Sequence, residues 1–261
     1  MTEVVPAARL GPPGRADGSR GSGGSPPRSC AVSDVLAALE TVRDPELDEP
    51  ITSLGFVTSA AVSADGDAQV RLRLPTYFCA PNFAFLMVAD AYDAVSALKG
   101  LRSTQVVLED HFAGDAINNG VAARAGFATT FVGEAVGELA GLRADFLRKA
   151  VLAGTDLVCR PLVQAGATPD QLTAMALGDP PPSRELGRLR QRRAELGLPA
   201  DDRSPLVIDP VTGAGVTAES LPLHMRMART TRISVQANTG ICRGMLRHRY
   251  ASAGIGEEES A

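Results

Sequence analysis

From Asn82 to Gly100 apolar side chains recur at helical spacing, at Phe83, Leu86, Met87, Ala91, Ala94, Val95 and Leu98. The pattern predicts a long helix with one core face and a stop at Gly100. Pro81 falls in its first turn, where a missing N–H costs nothing. Just upstream, residues 68–74 alternate strictly, with Val70, Leu72 and Leu74 on one face and Arg71 and Arg73 on the other. That is the signature of a half-buried strand, and the Asp65-Gly66 turn before it pairs it with the β-favouring stretch of residues 51–62. Residues 103–109 read as a third strand. Ser33 is a plausible cap for a short helix whose apolar face is Val35, Leu36, Leu39 and Val42. The order helix, β-hairpin, helix, strand predicts a small two-layer α+β domain with its helices packed on one sheet face.

Past this unit the pattern becomes helical. A second long helix is expected from about residue 130 to 153, with Phe131, Ala135, Leu139, Leu142, Phe146 and Ala150 on its apolar face. Thr168-Pro-Asp-Gln171 fits a capping box that opens a short helix ending near Gly178. Asp179-Pro-Pro-Pro-Ser183 reads as a linker, residues 183–196 as a basic helix, and residues 205–208 as a short strand. From Leu221 to Tyr250 the chain carries Arg226, Arg229, Arg232, Arg243, Arg247 and Arg249 with no acidic residue. The expected organisation is a disordered Gly/Pro/Ser-rich tail (1–30), the α+β domain (31–112), a helical extension (113–178), an Arg-rich region (179–250) and an acidic tail (251–261).

Composition narrows the function classes. Over 261 residues the net charge is −4, aromatics are 4% and tryptophan is absent, which argues against general nucleic-acid binding and against stacking platforms for bases. No apolar run approaches the length of a membrane span and no secretory pattern opens the chain, so a cytoplasmic protein without a membrane partner is expected. Cysteines at 30, 79, 159 and 242 form no C-x-x-C pair and no disulfide framework, and are expected to stay reduced.

The candidate chemistry centres on Cys79, where a strand hands over to a helix. A thiol there lies beside the unpaired N–H groups of a helix start, is drawn toward the thiolate, and serves as nucleophile or soft-metal ligand; the plainer alternative is a small buried hydrophobe. Pro45 turns Asp44 out of helical geometry, so Asp44 and Glu46 sit on a turn that either presents acids to a site or simply stops the helix. A thiolate with nearby carboxylates holds iron or a nascent cluster transiently. One cysteine per chain cannot close a four-cysteine site, so a homodimer or a borrowed ligand such as His111, between Asp110 and Phe112, would be needed. Glu134 and Glu138, four apart, read as a solvated face, and Cys159 and Cys242 have no partner in local sequence. The Arg-rich region lacks aromatic interleaving and suits an acidic protein partner. Gly213-Ala-Gly-Val-Thr217 is no phosphate loop, and no Gly-x-Ser-x-Gly occurs.

Asp44-Pro-Glu46, Ser53-Leu-Gly-Phe-Val57 and Thr76-Tyr-Phe-Cys79-Ala-Pro81 together resemble the iron-sulfur cluster assembly domain family over about residues 32–110. Ser53 stands where the family has an aspartate, and the cysteine loop is shorter, with Ala80 between cysteine and proline. The resemblance implies an α+β assembly domain in which Cys79, with Asp44, Glu46 and Thr76, handles iron or an iron-sulfur cluster, and Cys79, Glu46 and His111 are the candidate metal ligands. It further implies a non-catalytic factor whose partners are iron-sulfur assembly proteins and a client metalloenzyme. Extended proteins of this kind resemble accessory factors of bacterial di-iron monooxygenases. The rival expectations are a metal-independent docking module and a cysteine-nucleophile enzyme.

Overall fold

The computed structural model describes residues 30–133, 135 and 139–251. The expected tail over 1–30 (except Cys30), Glu134, Glu138 and the acidic end beyond Ala251 lie outside the described residues. The elements are α1 (Val32–Leu39), β1 (Val57–Val62), β2 (Asp67–Arg73), α2 (Pro81–Ser96), β3 (Ser103–Glu109), α3 (Gly114–Ala122), α4 (Phe127–Thr130), α5 (Ala140–Gln164), α6 (Pro169–Ala174), α7 (Arg184–Glu195) and α8 (Leu221–Tyr250). The fold is α+β, a three-stranded sheet followed by a helical C-terminal region.

The strands lie in the order β1-β2-β3, β1 and β2 antiparallel and β2 and β3 parallel, in register from Asp67 opposite Ser103 to Arg73 opposite Glu109. The parallel pair needs a crossover, and α2 supplies it. Gly66 turns the hairpin at φ +84°, and a Cβ there would lie 3.0 Å from the Gly100 carbonyl, so the turn also docks the end of the crossover. One sheet face is polar, with Arg71 and Arg73 both on Glu109 at 2.5 and 3.0 Å. The other buries Val70, Leu72, Val106 and Leu108 against Val35 and Leu39 of α1 and Met87, Val88, Ala91 and Val95 of α2. This core continues past residue 112 into Ile117 and Val121 of α3 and on to Phe131.

Local expectations shift in four places. The cap of α1 is Ala31, whose N–H donates to the Asp34 carboxylate at 2.9 Å, two residues ahead of the expected Ser33. Helix α6 opens on the Thr168/Gln171 capping box but ends at Ala174, short of Gly178. The long helix α5 starts at Ala140, because Gly133 at φ +85° interrupts the path and α4 packs Phe127 against Phe85 of α2, ring centroids 5.5 Å apart. The segment from Pro205 to Ile208 makes isolated bridges only, since Arg193 takes the carbonyls of Pro205 (2.9 Å) and Leu206 (2.5 Å) that a neighbouring strand would use.

A second core gathers Val151, Val158 and Cys159 of α5, Leu172, Leu177, Leu186 and Leu189, Leu206 and Val207, and Leu221 of α8. The arginines of this region are largely spent inside the molecule. Arg188 and Arg192 hold Asp48, Arg190 holds Asp202, Arg232 holds Asp156, and Arg249 holds Asp110. Arg184, Arg226, Arg229 and Arg247 remain exposed. Among the described residues no helix is long and apolar enough to cross a membrane.

Candidate functional site

Strand β2 ends at Arg73, buried Leu74 follows it, and the next residues form a tight turn in which the Cys79 N–H approaches the Thr76 carbonyl at 3.5 Å. The same turn sets Thr76 Oγ1 3.3 Å from Cys79 Sγ. Pro81 then opens α2 with Ala80 as its cap, so Cys79 sits two residues ahead of the helix and stays half-buried. Tyr77, Phe78 and Phe112 cluster beside it, exposed, with ring centroids 5.0 to 6.3 Å apart. The Phe112 N–H donates to the Tyr77 carbonyl at 3.1 Å, tying this loop to the chain after β3.

His111 sets the back of the loop. Asp110, at φ +53°, reverses the chain after β3, and His111 is 7% exposed. Its Nδ1 accepts the Ala113 N–H at 3.1 Å, so Nε2 carries the proton and donates to the Cys79 carbonyl at 2.7 Å. Burial, and after it the Arg249 cation, hold its basicity below that of a free imidazole, while the bond to Cys79 opposes them. Both ring nitrogens are therefore engaged with main chain, and the residue positions the cysteine loop.

The two turn acids differ in environment. Asp44 is 8% exposed and its Oδ1 accepts the N–H groups of Glu46 and Leu47, each at 2.9 Å. Burial pushes its carboxyl up to about 6, against the lowering effect of those two bonds. Glu46 accepts from Asn238 Nδ2 of α8 at 3.1 Å. Two residues on, Asp48 adopts φ +52° and is gripped by Arg188 and Arg192 of α7. The structure thus brings Thr76, Cys79 and His111 together in one loop system, and sets Asp44 and Glu46 on a separate turn under α8.

Cys242 is the residue that sequence reasoning set aside. It lies on α8, half-buried, packed with Leu246 on the same core that Cys79 borders. Burial, followed by the charges of Asp44, Cys79 and Glu46, pushes its thiol up to about 11. The available signal was the spacing Asn238, Cys242, Leu246, Arg249, which marks one face of a helix. That spacing names a face without naming what it meets.

The fit to an iron or cluster cargo is partial. Thiolate and carboxylate are suitable donors. Among the described residues, however, no three His, Cys, Asp or Glu side chains converge closely enough to hold a metal ion. What the loop offers is a half-buried thiol with a hydroxyl beside it.

The family described as iron-sulfur cluster assembly protein matches residues 33–108. An uncharacterized protein of Methanocaldococcus jannaschii is 32% identical over 78 residues, covering 30% of this chain and 80% of that protein. No solved structure matches.

Proposed function

We propose, for a chain that belongs to the iron-sulfur cluster assembly protein family through residues 33–108, that it is a non-catalytic maturation factor delivering iron or an iron-sulfur cluster to a client metalloenzyme. The observation that carries the reading is the half-buried Cys79, two residues ahead of α2 and 3.3 Å from a threonine hydroxyl. The half-buried sulfur is reachable by the ligands of a partner. Cys79 is the cargo ligand, Thr76 a hydrogen-bonding neighbour of the sulfur, and Glu46 and Asp44 the acids of the adjoining turn. His111 positions the loop through the Cys79 carbonyl. The incomplete donor set suits transfer, because a carrier that leaves coordination positions free lets client ligands complete them. The client class, carried from the sequence resemblance, is a di-iron monooxygenase.

Anaerobic reconstitution of the full chain with ferrous iron and sulfide, followed by visible absorbance, tests the reading. Wild-type protein is expected to develop charge-transfer bands that Cys79→Ser loses while its far-ultraviolet circular dichroism stays unchanged. Equal bands from both proteins would overturn the assignment of Cys79.

A further inference from the structure

Helix α8 crosses the assembly domain along a single stripe. Asn238 bonds Glu46 at 3.1 Å, Arg243 reaches the Ser53 carbonyl at 3.4 Å, and Arg249 bonds the carbonyls of Leu74 at 3.1 Å and Asp110 at 2.7 Å. Leu246 meets the chain at Gly55, where its Cδ2 would lie 3.4 Å from an added Cβ. Asn238, Cys242, Leu246 and Arg249 are spaced four, four and three apart, so they share the inward face. Cys242 is therefore bracketed by a contact to the Asp44-Pro-Glu46 turn on one side and contacts to the end of β2 on the other. Cys79 lies a few residues beyond Leu74, and both cysteines pack on the edge of one hydrophobic core.

We infer that Cys242 is the second sulfur of the Cys79 site, so that a thiophilic metal centre is held between a thiolate of the assembly domain and a thiolate of α8. The inference rests on the reading of Cys79 as cargo ligand and deepens it. Binding of the metal releases the thiol protons to solvent. Two protein thiolates satisfy half of a tetrahedral iron, leaving the rest to inorganic sulfide or to a client. The pairing gives α8 a part in release: moving the helix removes one of the two sulfurs.

The full chain, reduced and anaerobic, is titrated with cadmium(II), a redox-inert thiophilic probe whose sulfur-to-metal absorbance scales with the thiolates bound. Wild type is expected to saturate with one tight equivalent. Cys79→Ala and Cys242→Ala should each lose roughly half of the absorbance and weaken binding about tenfold or more, with Cys30→Ala and Cys159→Ala unchanged. A Cys242→Ala chain that titrates like wild type, while Cys79→Ala loses the band, overturns the inference and leaves Cys79 as sole ligand. A Cys79→Ala chain that titrates like wild type overturns the underlying reading as well. Since substitution in α8 can loosen its packing, unaltered protein is also treated with dibromobimane, which fluoresces on bridging two neighbouring thiols. A bridged pair of peptides carrying Cys79 and Cys242 is expected, and recovery of both only as singly alkylated peptides overturns the inference.

Discussion

Arg192 of α7 points its Nε at Asp48 Oδ1, 2.5 Å away, with the arginine side chain 3% exposed and the aspartate 20%. Asp48 holds a left-handed φ of +52°, which a non-glycine residue keeps only where its surroundings impose it, and Arg188 adds a second grip at 3.3 Å. Helix α7 thereby fixes the turn that carries Asp44 and Glu46. Removing the arginine leaves a half-buried carboxylate short of its partner in a costly backbone conformation. Arg192→Ala is expected to cost about 3–5 kcal/mol, read as a lower midpoint in urea unfolding. A loss under 1 kcal/mol would mean the contact is screened and contributes little to the joint.

Asp44 gives the protein a definite pH dependence. Its carboxyl titrates at about 6 in the folded chain against an ordinary 3.8, so between these values the folded state binds more proton than the unfolded. Stability from this group is full below about 4 and is lost as pH rises through about 6, by up to roughly 3 kcal/mol. Asp44→Asn keeps an acceptor for the Glu46 and Leu47 N–H groups while removing the charge. The variant is expected to match wild type near pH 4 and exceed it in stability at pH 7. Denaturant unfolding at both pH values checks this, and a variant less stable at pH 7 would sink it.

His111 supports the cysteine loop from behind. Truncation to alanine leaves the Cys79 carbonyl and the Ala113 N–H without the imidazole, at a cost of about 1–3 kcal/mol. The loop should open, so iodoacetamide should alkylate Cys79 faster in His111→Ala than in wild type, with Cys159, fully buried, unaffected. An unchanged rate at Cys79 would show that Tyr77, Phe112 and Arg249 hold the loop without the histidine.

Gly120 of α3 faces Thr130 of α4 so closely that a Cβ would overlap the threonine side chain. Gly120→Ala is expected to destabilise by about 1–3 kcal/mol despite the better helix propensity of alanine. Thr130→Ala in the same chain should recover most of that loss in thermal unfolding. If the pair of substitutions is no better than the single one, the clash is relieved elsewhere.

Much of the assembly domain was legible because its information is local. Val70, Leu72 and Leu74 alternate with Arg71 and Arg73, and that alternation alone assigns one face of β2 to the core. The stripe from Leu86 to Val95, the Asp65-Gly66 turn and the β3 span of residues 103–109 rest on the same short-range burial logic. The turn presenting Cys79 was readable too, since Pro81 at the helix start is a sequence signal. The later half was less readable: Arg-rich composition reports charge, and does not say whether that charge meets solvent, a partner or the chain itself.

The amino-acid order by itself determined the three strands, the long helix between the second and the third, and the place of Cys79 where strand hands over to helix, because each depends on periodicities a few residues long. Tertiary structure alone decided that Arg188, Arg192, Arg232 and Arg249 close on acids of distant segments, that His111 serves the Cys79 carbonyl, and that Cys242 packs against the core of the assembly domain. The bond from Asn238 to Glu46 spans 192 positions of chain. No local pattern encodes such a pairing, which follows from the way α8 must bury its inner face against both cores at once.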